Sequence, residues 1–252
     1  MLRRQLRQRA FTLIELLVVI SIVTVLAAIL YPVVARARER ANASRCMANE
    51  KQIGAAMMAY VSDWDDTYPS GWIGPPDTRD GWSWRAALLP YLGGTEVLRC
   101  PSNPVASEEF DQPSGRGMKL SICYAPNRSA IPRWSLDGEM VTQVGSVQNP
   151  AETIMIIENR SRWPDQGVWA VDQRGDGIFP PDGYSQPDTM GPFHSHRGLV
   201  NIVFMDGHAK SLRLSATLVP HEMWKDYLRD PDTPYNQEWC GEAAKRLAAE
   251  YR

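Results

Sequence analysis

The stretch that decides the fold is Ala10-Phe11-Thr12-Leu13-Ile14-Glu15-Leu16-Leu17-Val18-Val19-Ile20-Ser21-Ile22-Val23-Thr24-Val25-Leu26-Ala27-Ala28-Ile29-Leu30-Tyr31-Pro32-Val33-Val34. No charge occurs from Leu16 to Val34, and only Ser21, Thr24, Tyr31 and Pro32 add polarity or break the pattern. About 20 apolar residues span a bilayer as helix. Glu15 spoils a plain anchor, because a carboxylate inside a membrane helix costs roughly 2.5–3.5 kcal/mol and marks a functional position by default. Upstream lies a basic leader, Met1–Arg9, with Arg3, Arg4, Arg7 and Arg9. Downstream, Arg36, Arg38, Arg40 and Arg45 match that charge, so the positive-inside rule assigns no orientation.

The leader, the run Ala10-Phe11-Thr12-Leu13-Ile14-Glu15 and the apolar segment together resemble the processing site of type IV pilins and type II secretion pseudopilins. The resemblance implies that a membrane-embedded prepilin peptidase cuts between Ala10 and Phe11 and that Phe11 is then N-methylated. The family usually has Gly where this chain has Ala10, and with the smallest replacement in that place cleavage is expected to persist, slower or unaltered. Glu15 of one subunit would pair with the Phe11 amine of a neighbour, since two charges costly alone in an apolar bundle become tolerable together. The implied partners are other pilin or pseudopilin subunits, the prepilin peptidase, an inner-membrane assembly platform and the membrane. The leader would stay cytoplasmic and the globular part be exported, as a single-pass inner-membrane protein or a surface filament.

Three plainer readings of the N-terminus are weaker. A signal peptide cut at Ala35-Arg36-Ala37 would have Glu15 at the front of its core and Arg38 after the cut. A twin-arginine signal has only Arg3-Arg4 in its favour. A simple anchor leaves Glu15 unexplained.

Beyond Pro32 the pattern turns amphipathic. Ala35, Ala41, Cys46, Ile53, Met57, Tyr60 and Val61 recur at mixed three- and four-residue spacings, with Arg36, Arg38, Glu39, Arg40, Glu50 and Lys51 interleaved as a polar side. A helix is expected from about Phe11 to Asp63, kinked at Pro32, slightly weakened by Gly54 and ended by Asp63-Trp64-Asp65-Asp66. A Gly/Pro loop over 70–82, a short helix over 82–92 closed by Gly93-Gly94, and strands at Lys119–Ala125, Thr153–Glu158, Val168–Val171, Leu199–Asp206 and Ala209–Leu214 follow, with a strand or turn at 139–147. A two-residue Gly207-His208 turn would join the last two strands, and a final helix is expected at Glu242–Tyr251. The fold class is α+β and pilin-like: a long N-terminal helix on a small antiparallel sheet with loop insertions. The division is leader 1–10, apolar assembly segment 11–34 and globular part 35–252.

His196, nine residues and then Asp206-Gly207 resemble a His-x(9)-Asp-Gly motif at the C-terminus of many pilin-like proteins, a match that extends to Asn201, Phe204 and His208. A structural role is expected: Gly207 takes a positive φ, Asp206 caps backbone donors, and His196 bonds across the hairpin. His194, His196, Asp206 and His208 are also zinc-type donors, but their Gly-Pro and Arg-Gly flanks suggest a loop, and no metal is expected. Asp172-Gln173-Arg174-Gly175-Asp176-Gly177 is a weak calcium candidate, with Arg174 where such a loop wants Asp or Asn. No cofactor is expected.

The formal net charge is −2, and loss of residues 1–10 removes four arginines, leaving −6. A mildly acidic chain offers no attraction to nucleic acid. With no nucleophile elbow, no phosphate loop and no His partner evident for Cys100 or Cys123, no enzyme is expected. The rival reading, a membrane-tethered carbohydrate-binding or hydrolytic protein, rests on Trp72, Trp82 and Trp84 near Asp77 and Asp80. Four cysteines in an exported domain allow three disulfide pairings. The family resemblance favours Cys46–Cys100, leaving Cys123 and Cys240 as a second pair or free.

Overall fold

The structure, a computed structural model, describes residues 13–73, 82–103, 109–111, 119–127, 130–131, 134–135, 142–159, 196, 198–218, 223–224, 245 and 248–249. The chain divides into two compact units, Met1–Ala41 and Asn42–Arg252. The fold is α+β and pilin-like, with one long N-terminal helix and a four-stranded antiparallel sheet.

Helix α1, Leu13–Asp63, is continuous through Pro32. In its first unit every large apolar side chain from Leu13 to Val34 is exposed. Ser21 and Thr24 return their hydroxyls to the carbonyls of Val18 and Ile20, which satisfies them without solvent. From Cys46 onward one face is buried: Cys46, Asn49, Glu50, Ile53, Gly54, Ala56, Met57, Tyr60 and Val61. Ala35 and Ala41, expected on that face, are exposed. Glu50, expected on the polar side, is fully buried. The helix ends where Asp65 and Asp66 take positive φ and the Asp66 amide donates to the Val61 carbonyl, a left-handed C-terminal cap that Asp tolerates.

Short elements follow: β1 (Trp72–Ile73), β2 (Trp82–Ser83), α2 (Trp84–Leu88), β3 (Glu109–Asp111), β4 (Lys119–Ser121), β5 (Tyr124–Pro126) and β6 (Trp134–Ser135). The helix expected over 82–92 is shorter than its pattern. Residues 82–83 pair with β1, Ser83 caps α2 by accepting the Ala86 amide at 3.3 Å, and the chain tightens to a 3-10 turn at Leu89–Tyr91. The single strand expected at 119–125 is two, β4 and β5, because Ser121 and Cys123 turn the backbone between different sheets. Of the 139–147 region, Val144–Ser146 form a 3-10 turn, and 139–141 lie outside the described residues.

The main sheet runs β5-β7-β8-β9, with β7 at Ile154–Glu158, β8 at Val200–Phe204 and β9 at Ala209–Leu212, all neighbours antiparallel. Its two central strands are buried on both faces, which explains the unbroken β-branched run in β7. A register shift between Ile154 and Ile156 inserts one residue, and Met155 and Ile156 both join the cluster that contains Ile53, Met57 and Leu98. Ile154, Ile157, Val200, Ile202 and Phe204 form the other cluster with Leu214, Leu218 and Trp224.

The turn between β8 and β9 is not the two-residue Gly207-His208 connection. Phe204 and His208 close the ladder through Phe204 N to His208 O at 2.9 Å, and Gly207 N donates to Phe204 O at 2.8 Å. Met205-Asp206-Gly207 therefore form a three-residue loop with Gly207 at φ 85°, the glycine-ended form that such hairpins favour. Gly54 has its own reason: a Cβ there would lie 2.2 Å from the Gly207 carbonyl oxygen. The residue that weakens the helix lets the hairpin tip close on it. Lys245, Ala248 and Ala249 are helical, within the helix expected at the C-terminus.

Candidate functional site

Six segments of the second unit bring polar groups into one buried cluster. Cys46 on α1 and Cys100, beyond the 3-10 turn at Thr95–Leu98, are joined in a disulfide with Cα atoms 5.1 Å apart. His196 Nε2 lies 3.5 Å from Cys100 Sγ and 3.0 Å from Glu158 Oε1. Glu158, the last residue of β7, also accepts from the Asn201 amide on Oε2 and from Asn201 Nδ2 on Oε1, both at 3.1 Å. Asn201 is oriented in turn by the Ser211 hydroxyl, which donates to its Oδ1. With the carboxylate ionised, Nε2 of His196 carries the hydrogen. Glu158 is fully buried and His196 is 4% exposed, so this chain of bonds answers the cost of taking a carboxylate out of water.

Glu50 stands one helical turn past Cys46, fully buried, and neither of its oxygens has a hydrogen-bond partner among the described residues. Burial first, and then the nearby charge of Glu158, push its carboxyl well above the usual range. Cys123 is a buried free thiol whose Sγ lies 4.0 Å from the Cys100 carbonyl. Burial pushes that thiol up, against smaller opposing effects of Ser121, the Cys100 carbonyl and Arg85. The surrounding backbone is pinned by buried asparagines: Asn49 Nδ2 donates to Arg99 O, Asn103 Nδ2 to Asn159 O, and Asn159 Nδ2 to Ile122 O.

The residues singled out from the sequence fall into different places. His196 bonds to Glu158 at the end of β7, the strand beside that hairpin. Asp206 and His208 sit together at the exposed hairpin end, where Asp206 Oδ1 accepts from the His208 amide at 3.1 Å and meets His208 Nδ1 at 2.5 Å. His208 stacks on Phe204 with ring centroids 4.4 Å apart. Of the set His194, His196, Asp206 and His208, the three described members divide: His196 precedes β8, whereas Asp206 and His208 follow its far end. Among the described residues, the donors that could share a metal are Cys46, Cys100, Glu158 and His196, with ligand atoms all within 4.8 Å of one another. Trp84 is fully buried with the Arg85 guanidinium 4.7 Å over its ring, so it offers no face to a sugar. The side chains of Trp72 and Trp82, with Asp77, Asp80, Ala10, Phe11, His194, Cys240, Val168–Val171 and the loop 172–193, lie outside the described residues.

Glu50 and Glu158 carry no motif, yet one signal was present. Cys46, Glu50, Ile53, Met57 and Tyr60 follow one another at four-, three-, four- and three-residue steps, which is one helix face. The helix period places Glu50 inside, against its charge.

Glu15 is exposed in the first turn of α1. That helix is the one among the described residues long and apolar enough to cross a membrane. Residues 5–31 match the prokaryotic N-terminal methylation motif. Residues 35–97 match a family described as a protein of unknown function, DUF1559. Neither match reaches His196, Asp206 or Gly207. No curated protein and no solved structure matches the chain. The methylation motif supports a pilin- or pseudopilin-like exported subunit held by a single apolar helix.

Proposed function

From the methylation motif at its N-terminus, we propose that this chain is a structural subunit, not an enzyme, of a type IV pilus or a type II secretion-like pseudopilus. Prepilin peptidase removes Met1–Ala10 and N-methylates Phe11. The globular part is then exported, and an inner-membrane platform adds the subunit to a filament. The observation that carries this reading is the wholly exposed apolar surface of α1 from Leu13 to Val34. A helix apolar all round needs lipid or other helices, and a filament supplies both in succession. Glu15 gives the register: its carboxylate pairs with the amine of a neighbouring Phe11, which desolvates both charges together. His196, Asp206 and Gly207 serve the subunit's own fold. Mass spectrometry of the N-terminal peptide from cells carrying the assembly machinery tests the proposal. The expected peptide begins with N-methyl-Phe11; a chain that keeps Met1–Ala10, or starts near Arg38, overturns it.

A further inference from the structure

The buried cluster has a chemistry that a filament subunit does not require. Thiolates are the sulfur ligands of metals, and in this structure Cys46 and Cys100 are tied to each other. Around those sulfurs His196 Nε2 and a Glu158 oxygen complete a set within 4.8 Å. Zinc takes sulfur at about 2.3 Å and nitrogen or oxygen at about 2.0–2.2 Å, which in a tetrahedron sets ligand atoms roughly 3.3–3.8 Å apart. His196 Nε2 already stands 3.5 Å from Cys100 Sγ and 3.0 Å from Glu158 Oε1. Opening the sulfur–sulfur bond is the main further movement. The outer partners are in place as well, since Asn201 holds both oxygens of Glu158, the kind of support that orients metal carboxylates. Glu50, buried one turn from Cys46 with neither oxygen hydrogen-bonded among the described residues, would gain a cation nearby.

We propose that the dithiol form of this chain binds one zinc-class divalent ion through Cys46 Sγ, Cys100 Sγ, His196 Nε2 and a Glu158 oxygen, and that metal and disulfide are mutually exclusive states of one site. Entry to the dithiol state needs a reductant. With a trialkylphosphine, the sulfur–sulfur bond breaks, water delivers its oxygen to phosphorus to give the phosphine oxide, and its two hydrogens end on the two sulfurs. Metal binding releases those two protons to solvent, and the neutral imidazole of His196 moves its hydrogen from Nε2 to Nδ1. In the return direction a disulfide-bearing oxidant takes two electrons from the sulfurs, becomes a dithiol with two protons from solvent, and the metal leaves.

The test uses the full chain in detergent, reduced anaerobically with a trialkylphosphine and titrated with Co²⁺. Expected are one Co²⁺ per chain, thiolate-to-cobalt charge-transfer absorption, the visible bands of tetrahedral cobalt, and bleaching of both by one equivalent of Zn²⁺. The oxidised chain should show none of these. His196→Ala should weaken Co²⁺ binding by more than the ~10–100-fold that loss of an outer partner costs. Glu158→Gln, similar in size, should shift the visible bands, and Cys123→Ser should leave the spectrum unchanged. The proposal is overturned by absence of the charge-transfer absorption in the reduced chain, by its loss in Cys123→Ser, or by an unchanged spectrum in Glu158→Gln. It is overturned equally if reduction collapses the far-ultraviolet circular dichroism and Zn²⁺ does not restore it.

Discussion

One helix holds two stretches of opposite character. From Leu16 to Val34 α1 is uncharged, apolar on every side and exposed; from Cys46 to Val61 it is mixed in composition and buried on one face. Both stretches are helical, so helix formation does not separate them. What separates them is where the apolar surface finds its partner. The later stretch is satisfied within the chain by Leu98, Met155, Ile156 and Val203. The earlier has no apolar partner among the described residues and must be satisfied by other molecules. Apolar content alone therefore says little about burial in this chain; the period of the apolar residues says more.

The contrast can be broken first at Cys46. Its disulfide closes a sequence separation of 54, worth about 4 kcal/mol in the chain-entropy account. The double variant Cys46→Ala, Cys100→Ala should lose about that much in urea unfolding of the detergent-solubilised chain, and an unchanged midpoint would remove the staple from the energetics. Next comes a matched pair. Ile53→Ala, at a fully buried site, should cost about 3 kcal/mol. Ile22→Ala, at a site 54% exposed, should leave unfolding of the second unit unchanged, whereas Ile22→Arg should cost roughly 2.5–3.5 kcal/mol in a membrane-insertion assay. Equal unfolding effects at the two isoleucines would erase the distinction.

A smaller effect belongs to Gly54. Ala improves helix propensity by about 1 kcal/mol, but its Cβ meets the Gly207 carbonyl, so Gly54→Ala should destabilise by a net ~1–2 kcal/mol. Gly93→Ala, with nothing within 4 Å of its Cβ, is the neutral control in the same measurement. The smallest effect lies just past the helix at Tyr68, whose hydroxyl donates to the Met205 carbonyl at 2.6 Å. Tyr68→Phe should cost about 1 kcal/mol at neutral pH. Burial, with a smaller contribution from Asp206, raises the Tyr68 hydroxyl from 10.0 to about 12. A raised folded-state value means stability complete below pH 10.0 and lost as pH climbs towards about 12. The Phe variant should lack that share of the alkaline loss, and parallel alkaline unfolding curves would refute it.

Much of this was legible in the sequence for reasons that can be named. The uncharged run to Val34 and the β-branched run Ile154-Met155-Ile156-Ile157 are strong local signals, and α1 and β7 stand where they point. Glu50 was misplaced because its charge was weighed above its position on the helix face. The Cys46–Cys100 pair was suggested by the family resemblance, but its meeting with Glu158 and His196 was not legible, because those two residues come from separate segments that only the folded chain brings to the disulfide. The Asp-Gly turn was recognisable, but its length was set by the Phe204–His208 bonds, which composition does not encode.

The bond from Tyr68 to Met205 joins groups 137 residues apart, and Gly54 meets Gly207 across a longer interval. These contacts between the helix end and the hairpin tip cannot form until nearly the whole globular unit has been synthesised. Chains ruled by such distant contacts fold slowly, because loop-closure entropy is lost before the contacts repay it. Until then the buried face of α1, from Cys46 to Val61, is an open apolar strip. Folding of this unit is therefore expected to be limited by the arrival of the β8–β9 hairpin, and a chain truncated before Val200 would lose the Val203, Met205 and Gly207 contacts to that strip.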